Sequence, residues 1–312
     1  VDRLISVEIV AGDPVELHIE PSTIIISPGS SQQLQAYFTD SQGNISDVQA
    51  DLQWSRAPSY DFDVSSDGVI NADCSVSPDY YEEGIFVSAN VGNFELRGSA
   101  HVDVRSGEVS SVEISPVRAE VEVNDTFFFV ANGLDACGFT TTDVPVYSIT
   151  NGGGTISPEG QFQADTVAET VTIQGSVGQF SAQSEVTITP GAPIRLTIIP
   201  DEVSIVVGQR QSFDLEATDE YGNVWSPANV VWQVRGDDGE HGDEQSPIQE
   251  GSSGTIDNQG NFRAKTLAED YLREIKVTYS DSNGSGTSVS AFADVYLVPA
   301  APASVEITPA NP

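Results

Sequence analysis

Four segments of this sequence repeat one pattern, and the rest of the chain is arranged between them. Each segment alternates apolar and polar residues over about six positions and then stops at a proline, which is typical of a half-buried β-strand that ends in a turn. The segments are residues 15–21, 111–116, 194–200 and 303–309. Their prolines are spaced on the order of 100 residues apart, the size of one sandwich domain. The spacing therefore predicts three domains in the 312 residues.

The residues just before each repeated segment indicate where the domains meet. In three places they read as a last strand followed by a short linker with proline or glycine: 7–14, 186–193 and 295–302. We therefore expect the sequence to be a piece of a longer exported protein. We predict a closing strand and linker of a preceding module (1–12), domain 1 (13–106), domain 2 (107–191), domain 3 (192–300) and the opening strand of a following module (301–312).

Inside each domain the same order of short strands and turns recurs. A second short strand ends at a residue suited to positive φ, which is Gly29, Asn124 or Gly208. An alternating strand then enters a tight turn that contains Asp, Gly and Asn, at 40–44 and 219–223. The recurring order indicates that one module has been copied.

A bulky aromatic residue follows in each domain, at Trp54, Tyr147 and Trp232. In a sandwich we expect such a residue to fill the centre between the sheets. A glycine-containing hairpin and two further strands complete the domain. Because strands recur about every ten residues and no segment carries a helical period over three turns, the sequence predicts all-β, antiparallel sandwiches.

The charge balance narrows the classes of partner. The chain has 47 acidic and 12 basic residues and a formal net charge of −35. Such a chain repels nucleic acid and anionic lipid surfaces, and cations are its natural counterpart. No run of 18 apolar residues is present, so we expect no direct membrane insertion in this segment. The simplest interpretation of the acidic residues is the solvated surface of a secreted protein.

Several features of the modules form a recognisable set: the opening strands with their prolines, residues 206–208 and 218–223, Trp232 and the turn before Gly260. Together they resemble the bacterial immunoglobulin-like domains of intimin and invasin type surface proteins. The resemblance covers all three domains, and it implies three tandem immunoglobulin-like antiparallel β-sandwiches in an elongated array. It implies less about function, because such domains serve as spacers in many surface proteins. Domain 2 departs from the pattern, since Tyr147 replaces the tryptophan, and Asn124 and Asp125 stand where glycine is expected.

Nothing in the sequence indicates an enzyme. His18, His101 and His241 fall on an opening strand, a closing strand and a loop, so no pair forms a metal motif or a Ser-His-Asp arrangement. No glycine-rich phosphate loop lies between a strand and a helix. We therefore expect no catalysis and no required cofactor.

The two cysteines suggest a link between domains. By alignment, Cys74 follows the fifth strand of domain 1, and Cys137 lies in the loop between the second and third strands of domain 2. In sandwiches joined end to end, the first loop faces domain 2 and the second faces domain 1. We predict an interdomain disulfide that holds the joint; the alternative is two separate thiols, one or both of them buried.

An acidic insertion in domain 3 is a candidate calcium site, because Ca²⁺ prefers carboxylate oxygens. Its spacing is not that of an EF-hand, so a solvated loop is the competing interpretation. Residues 235–237 of the insertion also match an integrin-binding tripeptide. The candidate ligands are Asp237, Asp238, Glu240, Asp243 and Glu244.

Carboxylates at the joint between domains 1 and 2 form a second candidate calcium site. Three Asn-X-Ser/Thr sequons are also present, and they matter only in an organism that glycosylates them. The candidate ligands are Asp79, Glu82, Glu83, Asp135 and Asp143, and the sequons begin at Asn44, Asn124 and Asn283.

We predict a non-catalytic, extracellular stalk or spacer in a bacterial or archaeal surface or adhesin protein. Its partners would be neighbouring immunoglobulin-like modules of the same or an identical chain, together with a host or matrix ligand if the parent protein binds one. Three sandwiches in line would give a rod on the order of 100 Å.

Two other functions remain open. A filament or surface-layer subunit could join its neighbour by β-strand addition, in which the last segment completes a module of the next molecule. The strand-exchange candidates are Ser304, Val305, Glu306, Ile307 and Thr308. A ligand-binding adhesin module would expose aromatic residues on one loop face, for which Tyr80, Tyr81 and Trp225 are the candidates.

Overall fold

The computed structural model describes residues 10–234, 253–265, 270–280 and 288–304. In these ranges the chain is all-β, with 29 strands and no helix, which confirms the predicted fold class. The strands form three consecutive sandwiches, named sandwich 1 (β1–β10), sandwich 2 (β11–β19) and sandwich 3 (β20–β29).

The strand bounds are as follows. Sandwich 1 contains β1 (Pro14–Glu20), β2 (Thr23–Ile26), β3 (Ser30–Gln33), β4 (Gln35–Asp40), β5 (Ile45–Ser46), β6 (Leu52–Arg56), β7 (Asp63–Val64), β8 (Val69–Ala72), β9 (Asp79–Val91) and β10 (Phe94–Val104). Sandwich 2 contains β11 (Ser111–Ser115), β12 (Arg118–Glu122), β13 (Thr126–Phe128), β14 (Val130–Leu134), β15 (Val146–Asn151), β16 (Thr155–Ile156), β17 (Gln161–Gln163), β18 (Thr170–Val177) and β19 (Phe180–Thr189). Sandwich 3 contains β20 (Arg195–Ile199), β21 (Glu202–Val206), β22 (Arg210–Ser212), β23 (Asp214–Thr218), β24 (Val224–Trp225), β25 (Val230–Val234), β26 (Gly254–Ile256), β27 (Asn261–Ala264), β28 (Asp270–Ser280) and β29 (Ser288–Val298).

The three sandwiches share one sheet plan. A four-stranded sheet has the order β2-β10-β9-β6, and its equivalents are β12-β19-β18-β15 and β21-β29-β28-β25. The opening strand pairs in a second sheet, as β1-β4-β5, β11-β14 and β20-β23-β24. A small third group completes the face opposite the four-stranded sheet, as β3-β8-β7, β13-β17-β16 and β22-β27-β26.

One pair of strands in each sandwich runs parallel, where the sequence had indicated antiparallel pairing throughout. The opening strand ends at a cis proline, and the chain then crosses to the other sheet. There the second short strand lies parallel to the last strand of the sandwich. The cis bonds are Glu20–Pro21, Ser115–Pro116 and Ile199–Pro200.

Phenylalanines fill the centres of the sandwiches more completely than the predicted aromatic residues do. Phe129 packs on Phe162 and Phe213 packs on Phe262, each pair with ring centroids 6.4 Å apart. Of the predicted residues, Trp232 is buried, while Trp54 and Tyr147 are half-buried. A phenylalanine has no polar atom to satisfy, whereas buried Tyr and Trp need a hydrogen-bond partner. The Tyr147 hydroxyl accepts from the Ala131 N–H at 2.7 Å.

The same three aromatic residues explain why the hairpins contain glycine. Gly68, Gly160 and Gly260 have φ near +80°, a conformation that favours glycine. A Cβ at these positions would lie 2.8 to 3.0 Å from the ring of Trp54, Tyr147 or Trp232. The glycine therefore lets the hairpin lie directly against the aromatic ring.

Candidate functional site

Two joints connect the three sandwiches. Joint 1–2 is the linker between β10 and β11 with the loops that face it, and joint 2–3 is the linker between β19 and β20 with its facing loops. Side chains in these loops make contacts between sandwiches. We therefore treat the joints as the candidate functional site.

An aspartate at the end of β14 ties its own turn to the linker of joint 1–2. Asp135 Oδ1 accepts from the N–H groups of Cys137 and Phe139, both at 2.9 Å. Its other oxygen, Oδ2, accepts from the linker Gly107 N–H at 2.9 Å. One carboxylate thus closes the turn and holds the linker against the end of sandwich 2. We call this arrangement the aspartate latch.

The latch recurs in sandwich 3. Asp219 Oδ1 accepts from the N–H groups of Tyr221 and Asn223, both at 2.9 Å. Asp219 Oδ2 accepts from the linker Gly191 N–H at 3.0 Å. The aspartate and the linker glycine are 28 residues apart, as they are in joint 1–2.

Sandwich 1 carries a third latch at the end that receives residues 10–12. Asp40 Oδ1 accepts from the Gln42 and Asn44 N–H groups, both at 2.9 Å, and Oδ2 accepts from the Gly12 N–H at 2.8 Å. The separation is again 28 residues. The latch is therefore a repeated feature of the module.

The latch carboxylates are almost fully enclosed by protein. Asp135 and Asp219 are 3% and 2% exposed. Burial by itself raises the pKa of each carboxyl, but the hydrogen bonds from the linker and turn outweigh it and leave both pKa values below their ordinary range. For Asp40, the Gly12 N–H contributes most to lowering the pKa. All three latches are therefore ionised at neutral pH.

A disulfide adds a second connection at joint 1–2. Cys137, in the turn closed by Asp135, is bonded to Cys74, which follows β8 of sandwich 1. The S–S distance is 1.97 Å and the Cα atoms are 5.1 Å apart. Gly29 makes room for the bond, because a Cβ there would lie 3.0 Å from Cys137 Sγ and 3.5 Å from Cys74 Sγ.

Joint 2–3 has a hydrogen-bonded connection at the equivalent place. The Asn223 Nδ2 group donates to the Thr166 carbonyl at 2.8 Å, and the Ala168 N–H donates to Asn223 Oδ1 at 2.9 Å. Asn223 Nδ2 also donates to Asp219 Oδ2 at 2.8 Å, which couples this contact to the latch. The turn of each following sandwich thus contacts the sandwich before it.

The predicted calcium sites have different outcomes. Asp135 belongs to the latch, so its carboxylate oxygens are engaged with backbone N–H groups. Among the described residues, no three His, Cys, Asp or Glu side chains form a group able to hold a metal ion. The joint set is therefore not brought together as predicted. The loop candidates Asp237, Asp238, Glu240, Asp243 and Glu244 lie outside the described residues.

Most candidates for strand exchange lie outside the described residues, and the aromatic candidates for ligand binding do not share one exposed loop face. Ser304 is exposed and lies outside any strand, and Val305, Glu306, Ile307 and Thr308 lie outside the described residues. Tyr80 is exposed and stacks on His101, with centroids 5.6 Å apart. Tyr81 is instead half-buried, and it packs edge-on against Phe62. Trp225 packs on the core of sandwich 3.

Two of the three sequons are described. Asn44 Nδ2 donates to both carboxylate oxygens of Asp40, at 3.3 and 3.1 Å. Asn124 has φ of 64° at the position where sandwiches 1 and 3 have Gly29 and Gly208. Asn283 lies outside the described residues.

The latch itself was missed by the sequence analysis, which interpreted Asp40 and Asp219 as turn formers and Asp135 as a candidate calcium ligand. The signal was present as a repeated Asp-X-X-Gly turn at 40–43, 135–138 and 219–222, each preceded at 28 residues by a linker glycine. A further finding is that no helix of the described residues is long and apolar enough to cross a membrane.

No protein-family model matches the sequence, and a search of curated proteins finds no relative. Among solved structures, the Escherichia coli adhesin FdeC matches at a TM-score of 0.47 and 14% identity, over 94% of this chain and 100% of that chain. Domains 1–6 of the surface layer protein SbsC match at 0.27 and 16%, over 94% of this chain and 41% of that chain. Mouse cadherin-23 EC22–24 matches at 0.36 and 12%, over 92% and 100%. At these TM-scores and identities the matches identify neither an activity nor a partner for this chain.

Proposed function

We propose that this chain is a non-catalytic stalk of immunoglobulin-like domains in an extracellular surface protein of the adhesin kind, like the intimin and invasin type proteins that its sequence resembles. The observation that carries the proposal is the double connection at each joint. Each linker is held by an aspartate latch, and each following turn makes a second contact with the preceding sandwich. A stalk holds the domains at its two ends a fixed distance apart, and joints with two connections are suited to that task.

The two connections resist bending better than either one would. A linker alone leaves neighbouring domains free to swing and twist, because inter-domain motion is the default when few contacts cross the joint. The latch shortens the free part of the linker. The second contact runs from the same turn to a loop of the preceding sandwich that is not part of the linker, so it opposes rotation about the linker. Hydrogen bonds to a charged group contribute about 1.5 to 3 kcal/mol each, which is enough to favour one joint geometry.

The chemistry of the chain supports an extracellular location. Disulfides persist in oxidising compartments and at cell surfaces, and Cys74 is bonded to Cys137. The net charge of −35 keeps such a protein soluble and prevents binding to nucleic acid. An acidic surface is also compatible with exposure to a salty medium.

Small-angle scattering and spin-label distance measurements test the stalk. The wild-type chain should give a maximum dimension on the order of 100 Å, with a narrow distribution of distances between spin labels on sandwiches 1 and 3. A compact particle, or a broad distribution in which the two end sandwiches move independently, would contradict the proposal.

Strand addition receives no support from the described sandwiches. Each opening strand is already paired in its own sandwich, β1 with β4, β11 with β14 and β20 with β23. To complete a sandwich as its opening strand, a donated strand would have to displace one of them.

A further inference from the structure

A mainly apolar groove lies at the end of sandwich 1 that carries Gly12. Its volume is about 670 Å³, within the range of ligand sites and large enough for one or two large side chains. Asp13 and Glu95 stand at its rim. The apolar lining is Pro14, Val15, Val48, Val91, Phe94 and Leu96.

Both walls of the groove are parts of regular structure. On one side, Pro14 pairs with Asp40 in the β1–β4 ladder, and the Asp40 latch holds the neighbouring Gly12. On the other side, Val91 pairs with Phe94 across the tight turn between β9 and β10. The groove is therefore preformed and supported by strands, as a precise binding site requires.

Comparison with sandwich 2 shows that the apolar surface is not common to both sandwiches. The equivalent hairpin of sandwich 2 has the same Val-Gly-polar-Phe sequence at 177–180. Phe94 is 74% exposed, whereas Phe180 is half-buried, and Leu96 stands where sandwich 2 has Ala182. Exposed apolar surface of this kind marks interaction sites in soluble proteins.

The charges at the groove favour a basic partner over a second copy of this chain. Glu95 is compensated by Arg97, at 2.9 Å. Asp13 has no ion-pair partner among the described residues, so it contributes an uncompensated negative charge beside the apolar floor. Two copies of a chain with net charge −35 repel each other.

We propose that this groove binds an extended segment of a partner protein in which large apolar side chains lie beside basic residues. The apolar side chains occupy the space between Val15 and Phe94, and a basic group approaches Asp13. The binding role goes beyond the stalk function, and either can fail without the other.

Fluorescence anisotropy with short labelled peptides tests the proposal on the full chain. The probe peptide has a Leu-Phe pair between lysines; one control peptide replaces the lysines by glutamates and another replaces Leu-Phe by serines. Only the probe should bind. Phe94→Ser should weaken binding about tenfold or more, as loss of an aromatic anchor does, and Asp13→Asn about threefold. Phe180→Ser, at the same hairpin position of sandwich 2, should leave binding unchanged.

Four results with the full chain would overturn it. These are no binding of the probe peptide, equal binding of the glutamate peptide, an equal loss with Phe180→Ser, and self-association of the wild type that Phe94→Ser abolishes. Because Phe94 is exposed, its variant should keep the wild-type unfolding midpoint. Binding that requires deletion of residues 1–9 would identify that segment as the occupant and would also overturn the proposal.

Discussion

Joints 1–2 and 2–3 share the aspartate latch but differ in the second connection. In joint 1–2 the turn closed by Asp135 is bonded to sandwich 1 through the Cys74–Cys137 disulfide. In joint 2–3 the turn closed by Asp219 is bonded to sandwich 2 through Asn223, with hydrogen bonds at 2.8 and 2.9 Å. The contact point is therefore a property of the module, while its chemistry varies. The disulfide resists acid and yields to reductant. The Asn223 contact is insensitive to reductant, and it is coupled to the Asp219 carboxylate, which acid protonates.

The largest expected effect is that of removing the disulfide. Cys74 and Cys137 are 63 residues apart, and closing a loop of that length stabilises the folded state by about 4 kcal/mol in the chain-entropy treatment. Cys137→Ser and reduction of the wild type should each lower the free energy of unfolding by about that amount. Urea unfolding with and without reductant measures it.

The control for this prediction is the double variant Cys74→Ser/Cys137→Ser, whose stability should not respond to reductant. Thiol titration of the denatured, unreduced wild type should find no free thiol. Two free thiols would contradict the disulfide and leave joint 1–2 with only its latch.

Variants of the latch aspartates test whether the disulfide makes joint 1–2 stiffer than joint 2–3. In Asp219→Asn, the side-chain oxygen can still close the turn, but the amide group cannot accept the Gly191 N–H. We expect a loss of about 1.5 to 3 kcal/mol of joint stability, the value of one hydrogen bond to a charged group. Spin-label distances across joint 2–3 should broaden. Asp135→Asn, the matched variant, should broaden joint 1–2 less, because the disulfide still holds it; equal broadening would show that the disulfide does not stiffen the joint.

The same difference should appear as a pH dependence. Because the pKa values of Asp135 and Asp219 are lowered in the folded state, their stabilising contribution is complete above the ordinary carboxyl pKa near 4. The contribution is lost as the pH falls through the lowered values. Label distances recorded from pH 7 to pH 2 should broaden at joint 2–3 before joint 1–2. Simultaneous broadening, or broadening that begins above pH 6, would argue against the latch as its cause.

The smallest expected effect is that of Asn223→Ala. It removes two hydrogen bonds to backbone groups of sandwich 2, each worth about 0.5 to 1.5 kcal/mol net. Joint 2–3 should become more mobile, with hydrogen exchange faster at the Ala168 amide. Asn44→Ala is the matched control, since Asn44 has the same place in its turn and binds Asp40 of its own sandwich. If Asn44→Ala raised exchange at Ala168 equally, a general loss of stability would explain the result.

The order of strands and turns could be predicted from the sequence because the signals for it are local. Alternation, the prolines at 21, 116 and 200 and the hairpin glycines depend on neighbours within a few residues. The position of the two cysteines at one joint was also within reach, because aligned modules share their loops. The central phenylalanines and the parallel strand pair were not, since both depend on which sheet each strand joins.

Two turns of sandwich 3 show that the local sequence does not determine which contacts a turn makes. Residues 219–223 and 257–261 both read Asp-X-X-Gly-Asn, and both aspartates close their turns with two backbone N–H bonds near 2.9 to 3.0 Å. In both turns the second carboxylate oxygen accepts from the side chain of the asparagine four residues on. Asp219 Oδ2 accepts in addition from the Gly191 N–H, and no linker N–H among the described residues reaches Asp257. The same five-residue pattern therefore gives a latch in one place and a plain hairpin in the other.

The sequence by itself determined the modules, their strands and the shape of each turn, because these follow from side-chain alternation and backbone preferences over short distances. Only the tertiary structure decided which turns became joints, since a latch needs a linker glycine brought back across 28 residues to a buried carboxylate. It also decided that Asn223 bonds to the preceding sandwich, whereas the position of Cys137 at its joint already followed from the aligned loops. The physical reason is that these contacts join atoms far apart in the chain, and their geometry depends on how complete sandwiches are placed end to end.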